Sequence, residues 1–153
     1  MIVYRLCKGP YAHDALSGFG GMRSGGRWHS RGRRVLYASA TLSLAALEYL
    51  VHLGRRDAKL ALVAMEITIP DALPVESVER LALPLDWQTS PPTDATISVG
   101  DAWLEGQRGA VLKVPSAIIS SEFNFLINPL HPHFQQISAG TSRPFAFDGR
   151  LLV

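Results

Sequence analysis

Cysteine is nearly absent. Cys7 stands alone among 153 residues, so the chain cannot close an internal disulfide and its fold must rest on packing and hydrogen bonds. The opening Met1-Ile2-Val3-Tyr4-Arg5-Leu6 has neither the basic leader nor the apolar stretch of a secretion signal, and the expected compartment is the reducing cytoplasm. Long apolar runs are missing too: the longest aliphatic one, Leu60 to Met65, falls far short of the roughly 20 residues of a membrane-spanning helix. Charged residues supply only 18% of the chain against 47% apolar, which excludes the core-poor, self-repelling composition of a disordered protein. The length suits one domain over residues 1–153, of a size that hides roughly 70% of its unfolded surface.

Charge is present but unevenly spread. Residues 1–60 carry ten Lys/Arg against three Asp/Glu, while residues 61–153 carry five against ten. Arg23, Arg27, Arg31, Arg33 and Arg34 fall within twelve residues that contain no acid. An anion, either nucleic acid or a phosphorylated small molecule, suits such a segment. So does a solvated loop, or a patch that docks on the acidic half of another copy, and charge alone leaves these open.

The pattern along the chain reads as α+β. Ile2 to Cys7 has the β-branched, apolar character of a first strand, and the six glycines between Gly18 and Gly32 read as a loop whose backbone turns sharply or lies against a ligand. Val35 to Ser39 is a short strand, and Thr41 caps a helix running through Leu53 to a stop at Gly54. Leu60 to Ile69 is a strand that Pro70 ends. Pro74, Pro84, Pro91 and Pro92 mark residues 71–96 as mostly connection. A short helical or turn segment over Asp101 to Gln107 follows, then strands at Ala110 to Val114 and Ala117 to Ser120, and a final short pair between Phe145 and Val153.

Few side chains in this pattern can carry chemistry. On a helix of 3.6 residues per turn Thr41, Ala45, Glu48, His52 and Arg55 form one stripe, while the rest of Leu42 to Leu53 is apolar. Glu48 is therefore either a solvated carboxylate on the single wet face or a group lining a cleft. The glycine segment lacks the Gly-Lys-Ser/Thr ending of a phosphate-binding loop and the strand-loop-helix setting of a dinucleotide fingerprint. His131-Pro132-His133 has a metal-like spacing but too few partners for a site, so no metal is expected. Ser116 lacks the Gly-x-Ser-x-Gly elbow of a hydrolase nucleophile and has no neighbouring base. Trp28 and Tyr37 offer either stacking surfaces or core.

Seven short motifs in order resemble the RES domain. They are Tyr4-Arg5-Leu6, Gly25-Gly26-Arg27-Trp28, Val35-Leu36-Tyr37-Ala38-Ser39, Ala46-Leu47-Glu48, Gly100-Asp101-Ala102-Trp103, Val114-Pro115-Ser116, and Asn124 to Pro129 through His131-Pro132. The family's name denotes an arginine, a glutamate and a serine, matched here by Arg27, Glu48 and Ser116. Two positions depart from its pattern: His29 stands where Asn usually follows Gly-Gly-Arg-Trp, and Arg34 where a proline is common.

The resemblance implies a fold like that of ADP-ribosylating toxins, two small sheets with few helices around an NAD cleft. It implies the toxin of a bacterial toxin-antitoxin pair that degrades NAD as a glycohydrolase or phosphorylase, or that transfers ADP-ribose to a protein. The implied partners are an Xre-type helix-turn-helix antitoxin and a second copy of the chain, with DNA reached only through the antitoxin. Arg27, Tyr37, Glu48 and Ser116 become the expected catalytic set, and Arg5, Gly26, Arg27, Tyr37 and Ser116 the expected NAD-binding set. The chemistry agrees: losing nicotinamide leaves positive charge on ribose, which a carboxylate stabilises, and a guanidinium fork suits a pyrophosphate. A nucleic-acid-binding module without NAD chemistry is the alternative, carried by the arginine cluster beside Trp28 and Tyr37.

Overall fold

The computed structural model describes residues 1–53 and 61–152. In chain order they form β1 (Ile2–Lys8), α1 (Phe19–Ser24), β2 (Leu36–Ser39), α2 (Leu42–Leu50), β3 (Leu62–Thr68), β4 (Val75–Ser77), α3 (Asp94–Gly106), β5 (Val111–Pro115), β6 (Phe123–Ile127), β7 (Ser138–Ala139) and β8 (Arg143–Phe145). The class is α+β, as expected. The strands join in the order β4-β5-β6-β2-β1-β3-β7, with β8 also pairing on β3.

This sheet has a seam. β1 and β3 pair along seven residues, from Ile2↔Thr68 to Lys8↔Leu62, and β2 and β6 along four, from Leu36↔Ile127 to Ser39↔Asn124. β1 and β2, by contrast, share only the pair Tyr4↔Ser39. The two small sheets anticipated from sequence are thus two lobes, β4-β5-β6-β2 and β1-β3-β7-β8, joined at one residue pair rather than separate.

Alternation along the strands divides the apolar side chains between two clusters. Val3, Cys7, Ala38, Ile67, Phe125 and Ile127 belong to one. Trp28, Trp87, Trp103, Leu112, Val114 and Leu126 form the other, where α3 supplies Trp103.

Several local expectations are revised. The glycine segment is not wholly a loop: Gly18 at φ 73° and Gly25 at φ 68° bracket the six residues of α1. Gly21 inside it is required by space, since a Cβ there would come within 2.5 Å of the Val35 carbonyl oxygen. α2 stops at Leu50, with Val51 at the C-cap, rather than running through Leu53; Gly54 and Arg55 lie outside the described residues, as does Leu60. Only Leu44 and Ala45 of α2 are buried and Val51 is 59% exposed, so the helix lies on the surface of β1 and β2 and not deep in the molecule.

Between residues 71 and 96, β4 is held by parallel pairing with β5, a long-range contact that the proline-rich sequence hides. α3 starts at Asp94, well before the expected Asp101, and ends on Gln107 in the left-handed region at φ 45°. Ala117 to Ser120 is no strand. It is a turn folded over Ser116, and the strand follows at β6. The C-terminal segment supplies β8 and a helical turn at Gly149–Leu151 instead of a strand pair beyond Phe145. No described helix is long and apolar enough to cross a membrane.

Candidate active site

Thr41 starts the helix that carries the carboxylate: its Oγ1 accepts the Leu44 N–H at 3.0 Å, an N-cap bond worth about 1 kcal/mol. Two turns on, Glu48 projects toward the ends of β5 and β6. Its Oε1 accepts the Ser116 hydroxyl at 2.8 Å and the Asn124 side-chain amide at 2.5 Å. Ser116 is fully buried, and its oxygen also accepts the N–H groups of Ile118 and Ile119, each at 3.1 Å. With two amides on its oxygen and its proton directed at Glu48, Ser116 is oriented as a donor. Among the described residues no hydrogen bond ends on Oε2 of Glu48, so of the two oxygens Oε1 is the one held by protein donors.

Tyr37 and the Gly25-Gly26-Arg27-Trp28 turn are built together. The Tyr37 hydroxyl accepts the Trp28 N–H at 3.2 Å and lies 2.8 Å from His29 Nδ1. His29 Nε2 faces the Gly21 carbonyl at 3.0 Å. A carbonyl only accepts, so Nε2 carries the proton and Nδ1 takes the proton of Tyr37. Burial lowers the His29 pKa, keeping the neutral ring this arrangement needs, and burial raises that of Tyr37, keeping the phenol protonated. A Cβ at Gly26 would lie 2.8 Å from the Tyr37 hydroxyl. His29, at the position where the family usually has Asn, is 1% exposed and has both ring nitrogens satisfied.

Arg27 is not a free fork. Its Nη1 donates to the Trp87 carbonyl at 2.6 Å and its Nη2 to those of Gln88 and Thr89 at 3.4 and 3.0 Å. It fastens the segment that follows Pro84, and Trp87 stacks at a tilt on Trp28 with ring centroids 6.1 Å apart. Burial lowers the Arg27 pKa while the nearby charge of Glu48 raises it, so the guanidinium belongs to the same electrostatic neighbourhood. Arg5 reaches across the seam to donate to the Tyr37 carbonyl at 2.7 Å; its Nε is buried and has no partner among the described residues.

Two of the other four arginines of the cluster are spent on internal contacts. Arg33 pairs with Asp101 at 3.0 Å and with Glu105, and Arg34 lies over the Phe19 ring at 3.9 Å from its centroid. Arg23 and Arg31 are exposed. His131 places its two nitrogens on the Gln107 carbonyl and the His133 N–H, and no group of three metal-ligating side chains occurs among the described residues.

Three contributors escaped sequence reasoning. Asn124 and Ser39 stood inside recognised motifs without roles, and only strand pairing brings them beside Glu48. Asp101 accepts from both the N–H and the hydroxyl of Ser30, so the Gly-Asp-Ala-Trp motif serves to hold the turn that carries Arg27 and Trp28.

Residues 2–148 match the RES domain, and the chain belongs to that family. It is 36% identical over 99% of its length, and 97% of the relative's, to "Toxin Res" of Photorhabdus laumondii. It is 39% identical over 93% of its length, and 89% of the relative's, to the "Prs ADP-ribosylating toxin" of a Sphingobium species. The fold is similar to a chain in the crystal structure of the M. tuberculosis MbcT-MbcA toxin-antitoxin complex, with a TM-score of 0.77 over 95% of this chain and 84% of that one at 18% identity.

Proposed function

We propose that this RES-domain protein is the toxin of a toxin-antitoxin pair and acts on NAD by breaking the bond between nicotinamide and ribose. The observation that carries the reading is the Glu48 carboxylate, with Oε1 held by Ser116 and Asn124 and Oε2 unengaged among the described residues. Breaking the C–N bond sends the electron pair to the pyridinium ring, which departs as neutral nicotinamide without a general acid. The ribose is left as an oxocarbenium-like cation. Glu48 stabilises that cation and accepts a hydrogen bond from a ribose hydroxyl. Water, phosphate or a protein nucleophile then attacks the same carbon and gives up its proton.

In this reading Tyr37 walls the nicotinamide pocket, Gly26 lets the backbone approach closely, and Arg5 with Arg27 supplies the positive potential for the pyrophosphate. Because Arg27 already holds three carbonyls, it serves the dinucleotide largely through charge and by fixing the segment after Pro84. The relatives named as toxins, one of them ADP-ribosylating, support the assignment. The partners proposed are a cognate helix-turn-helix antitoxin of the Xre type that covers the cleft and a second copy of the chain, working in the cytoplasm.

The test is nicotinamide release from NAD by the purified protein, with and without phosphate and candidate protein acceptors. Glu48→Gln keeps size and helix propensity, and on this reading it loses roughly 100- to 1000-fold in rate at an unchanged thermal midpoint. Turnover by Glu48→Gln at the wild-type rate would overturn the assignment. Growth arrest on expression, relieved by the neighbouring gene, tests the toxin role separately.

A further inference from the structure

Asn124 occupies a position that neither its strand nor its burial requires of an amide. It lies on β6 between Ser39 of β2 and Val114 of β5, at 8% exposure, where its neighbours Phe125, Leu126 and Ile127 are buried and apolar. Its Oδ1 accepts the Ser39 hydroxyl at 2.7 Å, and its Nδ2 donates to Glu48. Ser39 is itself buried, at 4% exposure. A buried amide is satisfied only in the right orientation. Turned over, it would set two acceptors, Oδ1 and the Glu48 oxygen, against each other. The acceptor-only carboxylate therefore settles which end of Asn124 it meets, and the Ser39 hydroxyl anchors the other end by donating to Oδ1.

We infer that Asn124 is the positioning residue of Glu48 and that Ser39 holds the other end of its amide in place. The inference rests on the proposed function for what Glu48 does, and adds how Glu48 is aimed. With Ser116 and Asn124 both donating to Oε1, the carboxylate cannot rotate without breaking two charge-assisted bonds, and Oε2 is the oxygen presented to substrate. The three contributions come from Ser39 of β2, Asn124 of β6 and Ser116 directly after β5, so the cluster also ties the end of the β4-β5-β6-β2 lobe to α2. Aspartate at 124 has the same shape but no donor, and would place a second carboxylate against the first.

The experiment measures nicotinamide release and thermal midpoint for wild type, Glu48→Gln, Asn124→Ala, Ser39→Ala and their pairwise combinations. Asn124→Ala is expected to lower kcat roughly 10- to 100-fold, the effect of removing one hydrogen bond to a charged group, with KM within about threefold because Asn124 does not touch substrate. It should cost nothing further in the Glu48→Gln background, and Ser39→Ala should cost turnover only while Asn124 is present. Equal losses in both backgrounds, as a general loss of stability would give, overturn the inference. Asn124→Asp adds a pH signature: its rate relative to wild type should rise as pH falls, because one proton shared by the two carboxylates restores a donor to Glu48. A ratio independent of pH counts against it. If wild type releases no nicotinamide under any condition, the proposed function fails by itself, and the crystal structure of Asn124→Ala decides the geometry alone. The carboxylate is expected to leave Ser116 or split between rotamers, and finding it unmoved overturns the inference.

Discussion

Gly100 of α3 lies against the backbone of Trp28 so closely that a Cβ on it would come within 1.6 Å of the Trp28 carbonyl oxygen. The contact seats the helix directly on the turn that presents Arg27, and Asp101, one residue on, binds Ser30 and Arg33 from the same side. Gly100→Ala must push helix and turn apart, since the clash is with backbone. A loss of about 3 kcal/mol, near a 10 °C drop in thermal midpoint, is expected from overpacking of this kind. Gly20→Ala is the control, with nothing within 4 Å of its Cβ and a helical position, and should be neutral or stabilise by about 0.5 kcal/mol. Equal midpoints for the two variants would refute the packing account.

Arg27→Ala should loosen residues 86–92 whether or not NAD is present, because it removes donors to three consecutive carbonyls. Faster amide exchange in that segment, alongside a raised KM, is the expected pair of results. Exchange identical to wild type would mean that the carbonyl contacts do not restrain the segment in solution.

Stability should fall on the acid side through His29. Its pKa is lowered in the folded protein by burial, so the unfolded chain takes up a proton at higher pH than the native state does. The favourable contribution is present above the ordinary imidazole pKa of about 6.5 and declines as pH drops from there toward the lower native value. Thermal midpoints between pH 8 and 5 should therefore drop more steeply for wild type than for His29→Asn. Parallel curves would leave His29 without a role in the acid response.

Cys7 faces the core with 8% exposure, and burial raises the pKa of its thiol. A thiol kept protonated and covered is a poor nucleophile. An aromatic disulfide reagent should react slowly with the native protein and fast in denaturant, and rapid native labelling would contradict the packing of β1.

Much of the local structure was legible. β1, β2 and β3 were placed to within two residues by β-branched runs, and α2 by its threonine cap, since strands and caps report short-range chemistry. α3 was mostly missed because its amphipathic stretch begins directly after Pro91 and Pro92, which read as connection. The segment after Ser116 misled for a related reason: Ile118 and Ile119 have strand propensity, but their N–H groups are taken by the serine oxygen instead of a neighbouring strand.

By itself the sequence determined the class of the fold and the membership of the RES family, because both are written in ordered motifs, periodicities and residue types, and it singled out Glu48 as the candidate carboxylate. Tertiary structure alone decided partners. Ser39 and Asn124 are 85 positions apart and meet only because β2 pairs with β6 in one register, and a slip of one residue would turn them to opposite faces. Arg27 likewise gains its three carbonyls from a segment some 60 residues on. A sequence states which groups can donate and accept, but which donor reaches which acceptor follows from the burial of two apolar clusters and the single seam between the lobes of the sheet.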